Sequence, residues 1–263
     1  MRRLSGIHVR VIALWTSLCI GLACCAASPA FASGGIHVAP ARVEAVIGMN
    51  GAAPPITVHN RMDRPVRIQV SVGWGSHDEH GIPVYFDEPG VAGAKAEVHP
   101  PELLLLPGAR AEIHLRVAPA DRPHYPVVFL TWHSGLTRSP AGTEFQTVTR
   151  IAVPFLLTPE NHPPGQVRII DIGTEAIEPH AAEIRVLVAN AGDAHVRTSG
   201  EAVVLDSTGK AVGTIRLPEL LVLPGAQRLL RLEWRPDEPL AGPYALLFDG
   251  LSEETTPAFA FSL

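Results

Sequence analysis

Apolar and polar side chains alternate along several stretches of this chain, which is the pattern of β-strands with one buried face. In Val66–Val72, Ile113–Val117, Ile184–Val188 and Leu230–Trp234, every second residue is large and apolar. Helical periodicity does not extend beyond two turns, and 23 glycines and 25 prolines interrupt the chain. The pattern therefore predicts an all-β fold.

One sequence unit occurs twice. Pro101–Ala109 reads PELLLLPGA and Pro218–Ala226 reads PELLVLPGA, 117 residues later, and each is followed by a strand-like stretch. This spacing is close to the roughly 100 residues of one immunoglobulin-type sandwich. We therefore predict two immunoglobulin-like β-sandwich domains in tandem. Within each unit, one member of the apolar pair Leu105–Leu106 or Val222–Leu223 is expected to be buried.

The N-terminus has the pattern of a secretory signal peptide. Arginines at positions 2, 3 and 10 accompany an apolar run from Val11 to Ala27, and Ala30-Phe31-Ala32 is a small-x-small cleavage site. We predict a signal peptide over residues 1–32 and a periplasmic or secreted protein. A second interpretation makes Cys24 the lipidated first residue of a lipoprotein.

A polar, proline-rich stretch, Thr158–Gly165, separates the two copies of the unit. It predicts a first domain over residues 33–159, a linker over 160–166 and a second domain over 167–263. Each domain is long enough to bury a core of its own.

Charge and residue types exclude several functions. The formal charge is −5, and without the three arginines of the predicted signal it becomes −8, which argues against nucleic acid as the main partner. After the signal, no stretch is long and apolar enough to span a bilayer, and no cysteine remains. Motifs of nucleophilic catalysis or phosphate binding are absent, so we predict neither an enzyme nor a bound cofactor.

One cluster has the residue types of a metal site. His77-Asp78-Glu79-His80 places two imidazoles and two carboxylates in a predicted loop, and Zn or Cu binding is one hypothesis. A polar surface turn is the alternative, because no third, distant ligand is evident. The alternative is favoured, and no metal is predicted.

The first domain resembles the N-terminal domain of the periplasmic pilus-assembly chaperones of the chaperone–usher pathway. Three stretches carry the resemblance. Val38–Val43 resembles the first strand of the family, with its arginine, and Ile56–Asn60 with Pro65–Val70 resembles a pattern of asparagine, then proline, then strand. The third stretch is the repeated unit with its following strand, Pro101–Val117. A long hairpin of Val127–Trp132 with Phe145–Leu157 is similar to the one that closes the domain in that family.

The resemblance implies that the chain binds a secreted, pilin-like subunit by β-strand addition. In that family, two basic residues between the domains bind the terminal carboxylate of the subunit, and by motif these would be Arg42 and Arg150. The last strand of the domain would contact the subunit, and its alternating positions are Phe145, Thr147, Thr149 and Ile151.

A second function is kept open. The second domain is similar to the second immunoglobulin-like domain of cell-surface proteins of the Gram-positive type, on Asn190–Gly192, His195–Gly200, Asp206–Gly209 and Leu223–Gly225. The chain would then be a static interaction module of the cell envelope with no role in assembly. The oligomeric state is not predicted.

Overall fold

The computed structural model describes residues 35–87, 95–237, 243–249 and 259–262, and every regular element in this part of the chain is a β-strand. The predicted signal peptide, with Cys24, lies outside the described residues. Among the described residues, no helix is long and apolar enough to cross a membrane.

The first group of strands extends from Ile36 to Pro159. Its strands are β1 (Ile36–Ala39), β2 (Val43–Ile47), β3 (Ile56–Asn60), β4 (Val66–His77), β5 (Pro83–Phe86), β6 (Lys95–His99), β7 (Glu102–Leu105), β8 (Arg110–Ala118), β9 (Pro126–His133), β10 (Thr137–Arg138), β11 (Glu144–Phe145) and β12 (Val148–Pro159). They form a sheet of order β1-β3-β8-β6 and a sheet of order β2-β12-β9-β4-β5, in which β7 also pairs with β4. The pair β10–β11 is separate.

The second group begins at Val167. It consists of β13 (Val167–Glu178), β14 (Ala181–Asn190), β15 (Val196–Leu205), β16 (Ala211–Val222), β17 (Gln227–Trp234), β18 (Pro243–Asp249) and β19 (Phe259–Ser262). Its sheets have the orders β13-β14-β17 and β16-β15-β18-β19. The placement of the domain boundary at 160–166 stays a prediction, and the strands leave that stretch without a regular element.

Each pair of sheets encloses its own apolar core, as the alternation predicts. Ile113, Leu115 and Val117 are buried in the first core, and Leu230, Leu232 and Trp234 in the second. Polar residues between them point outward, because successive side chains of a strand lie on opposite faces. The prediction of an all-β fold with two sandwiches is confirmed.

A buried asparagine fixes the repeated unit in each domain. The side-chain amide of Asn60 donates to the carbonyl of Leu105 at 2.9 Å, and its backbone carbonyl accepts from Gly108 N at 2.9 Å. Asn190 repeats both contacts with Val222 at 3.0 Å and Gly225 at 3.0 Å. Gly108 and Gly225 have φ of 75° and 68°, which proline–glycine turns require at this position. The sequence repeat is therefore also a repeat of hydrogen bonds.

Two details differ from the sequence predictions. Leu105 is buried and Leu106 is exposed, as predicted, but Val222 and Leu223 are both buried. Val222 packs in the second core, whereas the amide of Leu223 donates to His77 of the first domain at 3.1 Å. Strand alternation does not anticipate burial by another domain, so the prediction of one exposed member is wrong for this pair.

The last strand of the first domain is also shorter than predicted. Phe145 belongs to β11, which pairs with β10, and β12 begins only at Val148. Between them, Thr147 exchanges hydrogen bonds with Ser134 instead of continuing the strand. The four alternating positions named above therefore do not lie on one strand.

Candidate functional site

A cavity of about 290 Å³ lies between the two sandwiches. Its walls include Tyr125 and Pro154 of the first domain and Leu221 and Leu223 of the second. Four charged side chains line it, which are Arg42, Arg197, Glu219 and Arg228. It has room for roughly ten water molecules, and a short polar end of a ligand fits the same space.

One flank of the cavity is an ion-pair network that joins the domains. Arg197 of β15 donates from Nε and Nη2 to Oε2 of Glu44 on β2, at 2.9 and 2.7 Å, and it also pairs with Glu219. Nε2 of His195 lies 3.2 Å from Oε1 of Glu44, and the amide of His195 donates to the hydroxyl of Tyr125 at 2.8 Å. The carboxylates of Glu44 and Glu219 are therefore both paired with Arg197 within the protein.

Burial and hydrogen bonding shift the ionisation of this network. Burial by itself raises the pKa of Glu44, but the hydrogen bonds from Arg197 and His195, together with their charges, hold the pKa below its ordinary value. Burial also raises the pKa of Tyr125, so its hydroxyl stays protonated and can accept from His195 without a charge.

The other flank is the turn between β4 and β5. Oδ1 of Asp78 accepts from the amides of His80 and Ile82, at 2.9 and 2.8 Å, which fixes the turn. The turn contacts the second domain, because the amide of Leu229 donates to the carbonyl of Glu79 at 2.7 Å.

The same turn bears on the metal hypothesis for the His77–His80 cluster. Both ring nitrogens of His77 have protein partners, since Nδ1 lies 2.9 Å from the carbonyl of Asp78 and Nε2 accepts from Leu223. Among the described residues, no three His, Cys, Asp or Glu side chains form a group that could hold a metal. The cluster is a turn that contacts the second domain.

Next to the cavity, one edge of β12 is free. Phe155–Pro159 pairs with β2 in parallel register, with Phe155 opposite Val43. Val148–Pro154 pairs with β9 on one side, and no strand of the described chain pairs with its other side. Arg42 directly precedes Val43, so it stands where the free edge ends and β2 begins.

The two arginines named from the sequence lie in different environments. Arg42 lines the cavity, is exposed, and makes no ion pair with a described residue. Arg150 does not line the cavity; its guanidinium pairs with Asp87 and lies 3.6 Å from the ring centre of Phe129. At about 3.3 Å per residue, Arg150 lies roughly 13 Å along β12 from Pro154 at the cavity wall.

The other named positions are also separated. Phe145 is exposed on β11. On β12, Thr149 lies opposite Trp132 of β9, and Ile151 packs against the first core. Thr149 and Ile151 therefore belong to the free-edge segment, whereas Phe145 and Thr147 precede it. A role of any of them in binding stays a prediction.

Sequence reasoning did not identify Arg228. It lies on the same face of β17 as Leu230, Leu232 and Trp234, which are buried. A charged residue at a core-facing position was the available signal, because arginine is seldom placed there without a partner.

Comparisons with known proteins identify the fold. No protein-family model matches the chain, and no curated protein has a significantly similar sequence. A chain of the chaperone–tip adhesin complex of CFA/I fimbriae biogenesis is 11% identical, with a TM-score of 0.52 over 86% of this chain and 98% of that chain.

Two further solved structures are similar. The class 5 fimbriae chaperone CfaA is 11% identical, with a TM-score of 0.49 over 87% of this chain and 99% of that chain. A chain from the complex of the Salmonella enterica SafA pilin with the SafB chaperone is 14% identical, with a TM-score of 0.47 over 88% of this chain and 97% of that chain. At such identities a likeness shows the fold alone, and the structure with the TM-score of 0.52 shows it over both sandwiches.

Proposed function

We propose that this chain is an exported, non-catalytic protein of the cell envelope that binds a secreted, pilin-like subunit by β-strand addition. The observation that carries the proposal is the free edge of Val148–Pro154, which ends beside Arg42 at the wall of the cavity. An unpaired edge offers backbone donors and acceptors to an incoming strand, and a cation at its end offers a partner for a charged terminus.

The direction of the incoming strand follows from the sheet. Because β2 is parallel to β12 and continues the same edge, a strand that occupies the free edge in the same direction ends with its C-terminus at Arg42. An antiparallel strand would instead bring its cationic N-terminus there. A terminal carboxylate at Arg42 therefore requires parallel addition.

A solved structure of similar fold supports this proposal. With a TM-score of 0.52, it is a chain of a chaperone–tip adhesin complex. For the present chain, a subunit partner is the proposal that fits both this fold and the free edge.

The remaining named residues enter the proposal in different ways. Thr149 and Ile151 would flank the added strand, and Arg150 would contact the partner only after leaving Asp87. Phe145 and Thr147 would contact a partner that extends beyond the start of β12.

Replacing Arg42 tests the proposal. Arg42→Ala should weaken subunit binding by about 2 to 5 kcal/mol, the loss typical of a charge pair broken on one side within an interface. Arg138→Ala is the matched control, because Arg138 is an exposed arginine of the same domain that pairs with Glu144. Affinity capture from an envelope extract, with both variants checked for the parent's melting temperature, provides the measurement.

Once a subunit has been captured, a second experiment tests whether its C-terminal carboxylate is needed for binding. We expect small β-rich secreted proteins, and adding a short Gly-Ser tail to the C-terminus of such a subunit should reduce binding to the level of Arg42→Ala. If Arg42→Ala folds and captures the same proteins as the parent, the anchor is wrong and the static interaction module is the better account.

A further inference from the structure

Arg228 occupies a position where the fold itself does not require a cation. In the repeated unit, the residue equivalent to Arg228 is Ala111, which packs against the first core. Both lie on the strand that follows the proline–glycine turn, two residues before a buried position, Ile113 or Leu230. The second copy therefore has an arginine where the first has a small apolar side chain.

Backbone carbonyls hold the guanidinium of Arg228 in place. Nη1 donates to the carbonyl of Leu221 at 2.8 Å, and Nη2 lies 3.4 Å from the carbonyl of His80 in the first domain. Its Nε is buried and has no hydrogen-bond partner. A buried donor without a partner is costly, so this group is able to gain from an added acceptor.

Gly81 leaves the space that this guanidinium occupies. Its φ is 83°, and a Cβ at this position would lie 2.1 Å from Nη2 of Arg228. The turn between β4 and β5 therefore has a glycine both for its backbone conformation and for the close approach of the arginine.

Two of the arginines that line the cavity, Arg42 and Arg228, have no carboxylate partner in the described chain. Arg197 is paired with Glu44 and Glu219. Neither Arg42 nor Arg228 has a carboxylate of the described chain within ion-pair distance, and burial lowers the pKa of Arg228 with only a partial opposing effect from Asp78. Two unpaired guanidinium groups on one small cavity attract an anion.

We propose that Arg228 of the second domain and Arg42 of the first bind the terminal carboxylate of the partner together. This inference rests on the proposed function and replaces Arg150 as the second cation. Because the two arginines come from different domains, a bound carboxylate bridges the domains, and each guanidinium supplies short, charge-assisted hydrogen bonds.

The test uses two N-acetylated pentapeptides of alternating Val and Thr, which are identical except that one ends in a free carboxylate and the other in an amide. The Nε–Hε signals of Arg42 and Arg228 are followed by NMR in the whole exported protein. We expect the free acid to shift both signals and to bind about tenfold or more tightly than the amide.

Variants assign the effect to Arg228. Arg228→Gln should bind the free acid no better than the amide, and Arg228→Lys should lie between Arg228→Gln and the parent. Arg231→Gln is the matched control, because Arg231 lies on the same strand, faces outward and pairs with Glu183. If Arg228→Gln does not fold, the parent's own Arg228 signal and Arg228→Lys still decide the question.

The inference is overturned if the free acid leaves the Arg228 signal unchanged, or if it binds Arg228→Gln as tightly as the parent. Failure of the inference and failure of the proposed function give different results. If the free acid shifts the signals of Arg42 and of the amides of Val148–Pro154 but not that of Arg228, the function stands and the inference fails. If it shifts both arginines without affecting those amides, the carboxylate site stands and strand addition fails.

Discussion

Single buried asparagines determine how the chain turns in both domains. Asn60 and Asn190 are the last residues of β3 and β14, and each satisfies backbone groups of the repeated unit and of its own loop. The sequence shows an asparagine at the end of each strand, but the side-chain partners include a carbonyl 45 residues away for Asn60 and one 32 residues away for Asn190. Such contacts between distant residues do not follow from local alternation.

Replacing one of these asparagines should destabilise its domain. Asn60→Ala leaves the carbonyls of Leu105 and Arg64 and the amide of Met62 without this partner, so we expect a loss of about 3 kcal/mol or more in the free energy of unfolding. Urea denaturation is the measurement. Asn50→Ala is the control, because Asn50 is exposed and, within the described chain, its side chain accepts a hydrogen bond from a single amide, that of Ala52; equal losses in the two variants would contradict this account.

Arg228 shows the limit of sequence reasoning at the same scale. The alternation along β17 predicts that the side chain of Arg228 points inward, and it does. What lies inward there is the cavity beside the first domain, and strand periodicity carries no information on the packing of one domain against another. Arg42 was identified only through the resemblance to pilus-assembly chaperones.

Strands are the elements that the sequence describes best. The alternation in β4, β8, β14 and β17 gives the buried face of each strand correctly, because one side of each sheet faces a core. The end of a strand is predicted less well. The resemblance to pilus-assembly chaperones predicts that the last strand starts at Phe145, whereas hydrogen bonds between Thr147 and Ser134 separate Phe145 from β12.

The strand β7 offers a direct test of this alternation. Leu105 is 4% exposed and the following Leu106 is 58% exposed. Leu105→Ala should lower the free energy of unfolding by about 2 to 5 kcal/mol, and Leu106→Ala by well under about 1 kcal/mol. Chemical denaturation of the two variants measures this difference, and similar losses would show that β7 packs differently from the description above.

On the scale of the whole molecule, contacts between the domains surround the cavity on two sides. The network of Glu44, His195 and Arg197 forms one side, and the turn at His77–Gly81 forms the other. The repeat predicts two domains, but it does not predict their contact, because the residues involved differ between the two copies. The cavity is therefore a property of the pair of domains.

Acidification should weaken the first of these contacts. The pKa of Glu44 is lowered in the folded protein, so its stabilising effect is present above the ordinary glutamate value and is lost as the pH falls through the lowered one. Glu44 is partly exposed, so we expect a contribution of about 1 kcal/mol near neutral pH.

A comparison of Glu44→Gln with the parent measures this contribution. The parent should be the more stable protein at about pH 7, and the stabilities of the two proteins should converge as the pH falls below the lowered pKa of Glu44, where the carboxyl group is protonated in both the folded and the unfolded state. Glu97→Gln is the control, because Glu97 is an exposed residue of β6 without an ion pair to a described residue. A stability difference that does not change with pH would rule out the ion pair as its source.

The free edge of β12 has a further consequence for the behaviour of the protein at high concentration. An unpaired strand edge can join the same edge of a second copy, which is a common start of aggregation. A charged side chain and a proline on an edge both oppose such pairing, the proline because it has no N–H to donate. Arg150 and Pro154 lie on this segment. An added partner strand would cover the same segment, so an excess of subunit should also suppress self-association.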